Sequence, residues 1–178
     1  PPSNSRKAYA FTPDGMHGWA VGAGLYEWDA AKNTWVRLAA ELQAGSKLLD
    51  ISVHGDGKSC SVVAVGTKGT VLLRDEVGSW VHLDASENPS RPGSAADLTT
   101  VRWSPSGDAW IGGQNLLHLH DHQIDVVAVP GTDVASVRSV APGSHGQVHA
   151  VLVHESRNGL GIQKWTGDTL ATWNGHAW

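Results

Sequence analysis

Three histidines in the stretch HLHDH form the densest group of potential metal ligands in the sequence. His118, His120 and His122 alternate along a run that we predict to be a β-strand, so their side chains project from one face. Two imidazoles on one face can share a Zn²⁺ with an outside ligand, each about 2.0–2.1 Å from the metal. No cysteine follows at ligand spacing. We therefore assign no metal and expect a polar strand face, hydrogen-bonded to a neighbouring sheet or to water.

The other reactive residue types form no recognisable catalytic set. The sequence has no G-x-S-x-G, H-E-x-x-H or Walker motif. The stretch GTKGT (residues 66–70) joins two predicted strands and has no helix after it, which argues against a phosphate-binding loop. Cys60 is the single cysteine and opens the apolar run CSVVAVG, so we predict a buried small hydrophobe and leave the redox compartment open. We predict no catalytic residue and no cofactor.

Composition excludes several classes of protein. With 178 residues, 17% charged and 40% hydrophobic, the chain is expected to be globular. A net charge of −4 argues against a nucleic-acid-binding face, and no apolar run is long enough to span a membrane. We therefore expect a soluble chain and assign no compartment. It begins with Pro1-Pro2, which we interpret as a processed mature chain, a piece of a longer product or a shortened version.

Internal repetition shows which elements carry these residues. The stretches GAGLYEWDAAKNTWVRL, GTKGTVLLRDEVGSWVHL and AWIGGQNLLHLHDHQIDVVAV align with one another, and GIQKWTGDTLATW is a weaker fourth copy. One turn position is held by Gly24, Gly69, Asn115 and Gly161, at spacings of 45, 46 and 46 residues. Glycine or asparagine is favoured by a left-handed turn, so we expect the same tight turn four times. A late tryptophan also recurs, at Trp35, Trp80 and Trp173.

Each copy follows a further run that ends in a glycine turn: KAYAFTPDG, LLDISVHGDG, TTVRWSPSG and SVRSVAPGSHG. Each unit thus predicts four short antiparallel strands, and a repeating unit of that kind is typical of a β-propeller blade. We predict an all-β propeller of about four repeats, at residues 6–42, 47–84, 97–130 and 135–178, with a surface loop at 85–96. Residues 1–178 would form a single domain or segment, either a closed four-blade ring or part of a larger ring. An irregular β-sandwich is the alternative. The tail WNGHAW looks like the start of a further strand.

Two related repeat patterns resemble these units. FTPDG…AVG…GLYEWD resembles the WD-repeat blade, with a Ser-Pro-Asp-Gly-like turn before a small-residue strand and a Trp-Asp ending at Trp28-Asp29. HGWAVGAGLYEWDAAKNTWVRL is also similar to the repeats of photosystem II assembly factors and of Asp-box (BNR) propellers. In the Thr12–Trp19 stretch, Gly15 is one place early for a proper Asp-box. The resemblance implies the β-propeller superfamily and no named subfamily.

Two arginines would then lie where first strands line a propeller channel. Arg102 and Arg138 each follow a valine in the first strand of a repeat, so they could converge there. Asp-box sialidases clamp a carboxylate with clustered arginines, but such an enzyme also needs a tyrosine nucleophile and an acid. Tyr9 and Tyr26 are the two tyrosines of the chain. We interpret the arginines as anion-lining or blade-capping residues.

Three functions follow from this fold. The first is a non-catalytic protein–protein interaction module or assembly scaffold, whose partner could be a second chain that completes the propeller. The second is a carbohydrate-binding lectin that uses tryptophan stacking, although a recurring tryptophan position fits packing between blades better. The third is a sialidase-like hydrolase. The sequence names no partner and no biological process.

Overall fold

The computed structural model describes residues 6–39, 42, 44–75, 77–85, 97–131, 134–157 and 163–178. Their regular structure consists of β-strands and three single-turn 3-10 helices, at Gly57–Ser59, Thr67–Gly69 and Ser144–Gly146. The prediction of an all-β chain is therefore confirmed. Within these residues, no helix has the length and apolar character needed to cross a membrane.

The strands form four antiparallel sheets in chain order. Sheet 1 contains β1 (Arg6–Phe11), β2 (Gly18–Gly22), β3 (Leu25–Asp29) and β4 (Thr34–Arg37). Sheet 2 contains β5 (Leu48–His54), β6 (Ser61–Gly66), β7 (Thr70–Arg74) and β8 (Trp80–Asp84). Sheet 3 contains β9 (Leu98–Trp103), β10 (Ala109–Gly113), β11 (Leu116–His120) and β12 (Gln123–Val127). Sheet 4 contains β13 (Val134–Pro142), β14 (Val148–Arg157) and β15 (Gln163–Trp173).

Glycine turns join the first and second strands of sheets 1 and 3. In the first of these turns, the Thr12 hydroxyl accepts a hydrogen bond from the His17 amide at 3.2 Å, and Gly15 takes a positive φ of 69°. Ser104 repeats the arrangement by accepting from the Asp108 amide at 3.3 Å. A side-chain hydroxyl thus satisfies a backbone donor that the tight turn would otherwise leave unpaired. This is the Pro/Ser/Asp-Gly turn that the sequence predicts.

The predicted left-handed residue occurs in only one of the described copies of the second turn. Gly69 has a φ of 67° and follows Lys68, whose φ is 58°. Gly24 and Asn115 do not have positive φ, so the prediction is wrong at these two positions. At Gly24 the turn is closed instead by a hydrogen bond from the Gly22 amide to the Gly24 carbonyl, at 3.1 Å. Gly161 lies outside the described residues, as does nearly all of the predicted 85–96 loop.

Sheet 4 has three described strands, not the four that the sequence predicts. The stretch QKWTGDTLATW forms one continuous strand of 11 residues, with a register shift opposite His154 and Glu155 where Gly167 has a φ of 148°. A bulge therefore absorbs the glycine, and the strand continues without a turn. Trp173 pairs with Val148 at the end of a third strand, so its predicted equivalence to Trp35 and Trp80 on fourth strands is wrong.

The sheets pack face to face in sequence order. Three core clusters of buried residues lie between sheets 1 and 2, between sheets 2 and 3, and between sheets 3 and 4. No core cluster within the described residues joins sheet 4 to sheet 1. The four sheets thus form an open arc, which favours part of a larger ring over a closed four-blade ring. We keep the single domain or segment over residues 1–178 as a proposal.

Candidate interaction surface

Strand register repeats from sheet to sheet, so equivalent positions can be compared directly. Ala20 lies opposite Tyr26, and Ala64 lies opposite Leu72 at the same place in sheet 2. Ala64 belongs to the core shared with sheet 1, whereas its neighbour Val65 belongs to the core shared with sheet 3. Because alternate side chains of a strand lie on opposite faces, the face of sheet 1 that carries Ala20 is the one that would contact a preceding sheet.

That face of sheet 1 is aromatic and is not covered by another described sheet. We call it the aromatic end face, and it carries Tyr9, Phe11, Tyr26, Trp28 and Trp35. Tyr9 lies opposite Ala20 and is 71% exposed, whereas Ile51 lies opposite Ala64 in sheet 2 and is 3% exposed. The two side chains occupy one register position, so the difference in exposure arises because no described sheet packs on this face of sheet 1.

The rings of the aromatic end face contact one another in series. The Tyr9 and Phe11 centroids are 6.3 Å apart, those of Phe11 and Trp35 are 5.8 Å apart, and those of Trp35 and Trp28 are 5.4 Å apart. All three pairs meet edge to face, which fixes the rings relative to one another before anything binds. This contiguous and partly exposed aromatic surface is therefore a candidate interaction surface.

Sheet 4 presents the opposite end of the arc, with a more polar surface. We call this the polar end face, and it carries Arg138, His149, Trp165, Asp168, Leu170 and Thr172. Leu170 lies opposite Val151 and is 69% exposed, whereas Leu25, Val71 and Leu116, on the corresponding faces of sheets 1, 2 and 3, are at most 1% exposed. Asp168 is paired with Arg138 and accepts a hydrogen bond from the Trp165 indole at 3.1 Å. His149 and Thr172 are joined by a 2.9 Å hydrogen bond.

The predicted histidine cluster is only partly assembled. His118 and His120 lie on β11 with their rings 5.0 Å apart, and His118 stacks on Trp110 at 4.4 Å. His122 has left the strand: it lies with Asp121 in the turn to β12, both with positive φ, so the prediction of three side chains on one strand face is wrong. No group of three potential ligands occurs among the described residues.

Carboxylates accompany the two strand histidines. His120 Nε2 lies 2.8 Å from Asp125 Oδ2, and this hydrogen bond raises the pKa of His120 above 6.5. His118 Nε2 is buried, is 3.6 Å from Asp108 Oδ2 and has no hydrogen-bond partner in the described structure. His118 and His120 therefore lie side by side on β11, each near a carboxylate, and His118 stacks on Trp110. This arrangement agrees with the polar strand face that the sequence predicts.

Arg102 belongs to a contact that joins sheets 2 and 3. Its Nη1 lies 2.7 Å from Asp50 Oδ2, and the same carboxylate oxygen accepts the Val101 amide at 2.9 Å. Asp50 Oδ1 also accepts the Ile51 amide at 2.9 Å. One carboxylate thus ties the first strands of two sheets together. The sequence contained no signal for Asp50, because the contact depends on a bulge between Leu48 and Asp50.

Arg138 has a different environment. It lies on β13 at a register shift between Val137 and Ser139, and it forms its ion pair with Asp168 of β15, two strands away. Its guanidinium therefore extends along the face of sheet 4. Convergence of Arg138 with Arg102 in a channel stays a prediction. Neither guanidinium contacts a described tyrosine: Tyr9 lies on the aromatic end face, and Tyr26 is buried there.

Cys60 is buried as predicted, in the core between sheets 1 and 2. Burial raises the pKa of its thiol. The thiolate fraction at neutral pH is therefore small, which agrees with a packing role rather than with nucleophilic chemistry.

Comparisons of structure identify the fold. The chain is similar to YCF48 from Cyanidioschyzon merolae, with a TM-score of 0.58, 17% identity, and coverage of 93% of this chain and 57% of that one. It is similar to the WD40 repeats of RRP9, with a TM-score of 0.62, 11% identity, and coverage of 93% and 52%. A structure of YCF48 bound to a D1 peptide matches with a TM-score of 0.56, 19% identity, and coverage of 84% and 49%.

Sequence comparisons add no family. No family model matches the chain, and a search of curated proteins found no match. The chain spans about half the length of the solved structures that it resembles. An arc of four sheets with two uncovered ends agrees with a chain of about half that length. The resemblance to β-propeller repeats seen in the sequence is confirmed, and the chain has the fold of a β-propeller.

Proposed function

We propose that this chain is a non-catalytic β-propeller module that binds protein partners and acts as an assembly scaffold. The observation that carries the proposal is the aromatic end face, where Tyr9 is 71% exposed at a register position that is buried in sheet 2. The WD40 and YCF48 neighbours, one of them bound to a peptide, support protein binding. This apolar surface resembles the faces that pack inside the arc. Covering it with a matching face would remove it from water and so stabilise the complex.

The partner that fits this face is a polypeptide that presents a β-sheet. The side of sheet 1 that faces sheet 2 offers Trp19, Val21 and Leu25 to the preceding face of sheet 2. A sheet with bulky apolar residues at the same three places would cover Tyr9, Phe11 and Trp35 in the same way. We therefore propose that the first partner is a propeller segment that completes the ring, in the same polypeptide or in a second chain.

Affinity purification with paired variants tests this function. Tagged wild-type chain, the Tyr9→Glu variant and the Val77→Glu variant are each used to recover proteins from an extract of the source organism. Val77 is 86% exposed in the turn between β7 and β8 and serves as the matched control, because it lies on neither end face. We expect wild type and Val77→Glu to retain a common protein that Tyr9→Glu loses, and purified components to reproduce the difference. Equal recovery by all three would contradict the proposal.

Carbohydrate binding and sialidase-like hydrolysis stay predictions from the sequence. Trp80 and Trp173 pack against core clusters between sheets, and Trp35 contacts Phe11 and Trp28, which supports a packing role for these tryptophans. A glycan array with the wild-type chain tests the lectin reading. Specific glycan binding that survives the Tyr9→Glu substitution would favour it over protein binding.

A further inference from the structure

Arg37 places a positive charge at the border of the aromatic end face. It lies opposite Tyr26 across β3 and β4, and residues paired in this way have their side chains on the same face of a sheet. Arg37 is exposed. No ion pair in the described part of the chain includes it. The border of the five rings therefore carries a cation that is open to a partner.

Gly24 leaves room for this guanidinium. A Cβ at Gly24 would lie 3.0 Å from Arg37 Nε, 3.5 Å from Nη2 and 3.6 Å from Cζ. A side chain at this position would compete with the guanidinium for the same space, which gives a physical reason for glycine where φ is not positive. The guanidinium thus lies over the turn between β2 and β3, close to the sheet and beside the rings.

Two other arginines lie at boundaries inside the arc, and each contacts the preceding sheet. Arg102 of sheet 3 lies 2.7 Å from Asp50 Oδ2 of sheet 2. Arg74 of sheet 2 has its Cζ 5.3 Å from the centroid of the Trp19 ring of sheet 1. A carboxylate satisfies the first guanidinium across the boundary, and an aromatic ring satisfies the second. Arg37 lies at the boundary that no described sheet covers.

Exposure favours a carboxylate as the partner of Arg37. Arg74, which stacks on a ring, is half-buried and also donates to the Cys60 carbonyl of its own sheet at 3.1 Å. Arg102, which takes a carboxylate, has a side chain that is 50% exposed. Arg37 resembles Arg102 in its exposure. A guanidinium presents parallel N–H donors that match the two oxygens of a carboxylate.

We propose that Arg37 selects partners of the aromatic end face that carry an aspartate or glutamate beside their apolar surface. The rings supply the apolar contact area, and Arg37 pairs with the carboxylate at its border. A charge in this place acts mainly on the association rate and on the choice of partner. The inference rests on the proposed function, because it concerns the partner of the same surface.

β-Hairpin peptides provide a defined probe. A phage-displayed library of disulfide-closed hairpins, randomised on one face, is depleted on the Tyr9→Glu variant and then selected on the wild-type chain. Biolayer interferometry at low and high salt measures the rates of the recovered hairpins with wild type, Arg37→Gln, Arg37→Glu and Lys47→Gln. The last is the matched control, because Lys47 is an exposed cation just before β5 and lies on neither end face.

We expect the recovered hairpins to carry aspartate or glutamate beside apolar residues. Arg37→Gln should lower their association rate about threefold or more at low salt and much less at high salt, whereas Lys47→Gln should leave it unchanged. Replacing the acid of a hairpin by its amide should cause the same loss with wild type and no further loss with Arg37→Gln. An acid-to-lysine hairpin should regain binding to Arg37→Glu.

The outcomes separate this inference from the proposed function. Hairpins that require Tyr9 but bind Arg37→Gln as fast as wild type would overturn the inference and leave the function intact. An equal loss with Lys47→Gln would also overturn it, since net charge alone would then explain the effect. Failure to recover any hairpin that distinguishes wild type from Tyr9→Glu would count against both.

Discussion

Corresponding faces of the sheets lie in opposite environments inside the arc and at its two ends. Leu116, on the face of sheet 3 that packs against the next sheet, is 1% exposed, and Leu170, on the corresponding face of sheet 4, is 69% exposed. At the other end, Tyr9 is exposed where the equivalent Ile51 of sheet 2 is buried. The difference shows that a sheet of this kind does not bury its own apolar side chains and depends on the next sheet to do so.

The two ends also differ from each other. The aromatic end face is a series of edge-to-face rings, whereas the polar end face has an ion pair between Arg138 and Asp168 beside Leu170. A partner sheet that covers the first must be apolar, and one that covers the second must also satisfy charged groups. The two surfaces therefore select different neighbours, which disfavours a simple stack of identical arcs.

The largest predicted effect contrasts Leu116→Ala with Leu170→Ala. Leu116 is packed between sheets 3 and 4, so its truncation should lower the free energy of unfolding by about 2–5 kcal/mol. Leu170→Ala, on the corresponding but uncovered face of sheet 4, should change it by less than about 0.5 kcal/mol. Urea denaturation followed by tryptophan fluorescence measures both. Similar losses for the two variants would mean that sheet 4 is covered in solution.

A second prediction concerns the close passage of the chain into sheet 3. A Cβ at Gly113 would lie 2.1 Å from the Asp97 carbonyl oxygen, so Gly113→Ala should lower the free energy of unfolding by about 1–3 kcal/mol. Gly143→Ala is the control, because its nearest neighbour would be Gln147 Cβ at 3.7 Å. It should be within about 1 kcal/mol of wild type. Thermal or urea unfolding of the pair checks the difference, and equal effects would contradict the described packing.

A third prediction compares the carboxylate between sheets with the ion pair at the end of the arc. Asp50→Ala removes the acceptor of the Val101 amide and should cost about 1–3 kcal/mol. Arg138→Ala should cost less than about 1 kcal/mol, because the Arg138 side chain is 58% exposed and solvent screens its ion pair with Asp168. Denaturation midpoints measure both. A larger loss for Arg138→Ala would show that the polar end face contributes to the fold.

The smallest predicted effect is the titration of His120. Its hydrogen bond to Asp125 raises the pKa above 6.5, so the protonated form is favoured in the folded state. The stabilisation is fully present below the unfolded pKa and is lost as the pH rises through the folded pKa. NMR titration should place the pKa of His120 above 6.5, and Asp125→Asn should bring it back toward that value. An unchanged pKa in the variant would rule out the contact as the cause.

Much of the architecture could be predicted from the sequence because the aligned repeats show which residues occupy equivalent strand positions. Alternating apolar runs and glycine turns placed the strands of sheets 1 to 3, and the late tryptophans at 35 and 80 marked the outer strands of sheets 1 and 2. The fourth unit was predicted less well. The weak fourth copy GIQKWTGDTLATW was expected to contain two strands, but pairing with the long β14 makes QKWTGDTLATW one strand with a bulge at Gly167. Strand pairing is a non-local interaction, and a short motif does not encode it.

The aromatic end face could be predicted only partly from the sequence. Tyr9, Phe11, Tyr26 and Trp28 alternate along β1 and β3, which was a signal for an aromatic face, yet burial of that face depends on a neighbour outside the four sheets. His122 shows the reverse case. Its spacing matched a strand face, but a two-residue turn with Asp121 removed it from the strand.

The most direct test of the open arc is the reactivity of thiols introduced at its two ends, in the Tyr9→Cys, Leu170→Cys double variant. Cys60 is buried and is expected not to interfere. In the 178-residue chain we predict that both introduced thiols react rapidly with iodoacetamide and form no intramolecular disulfide. Both should become protected when a ring-completing segment is added. Protection of both thiols in the isolated monomer, or a disulfide between them, would mean that sheets 1 and 4 meet and would contradict the account.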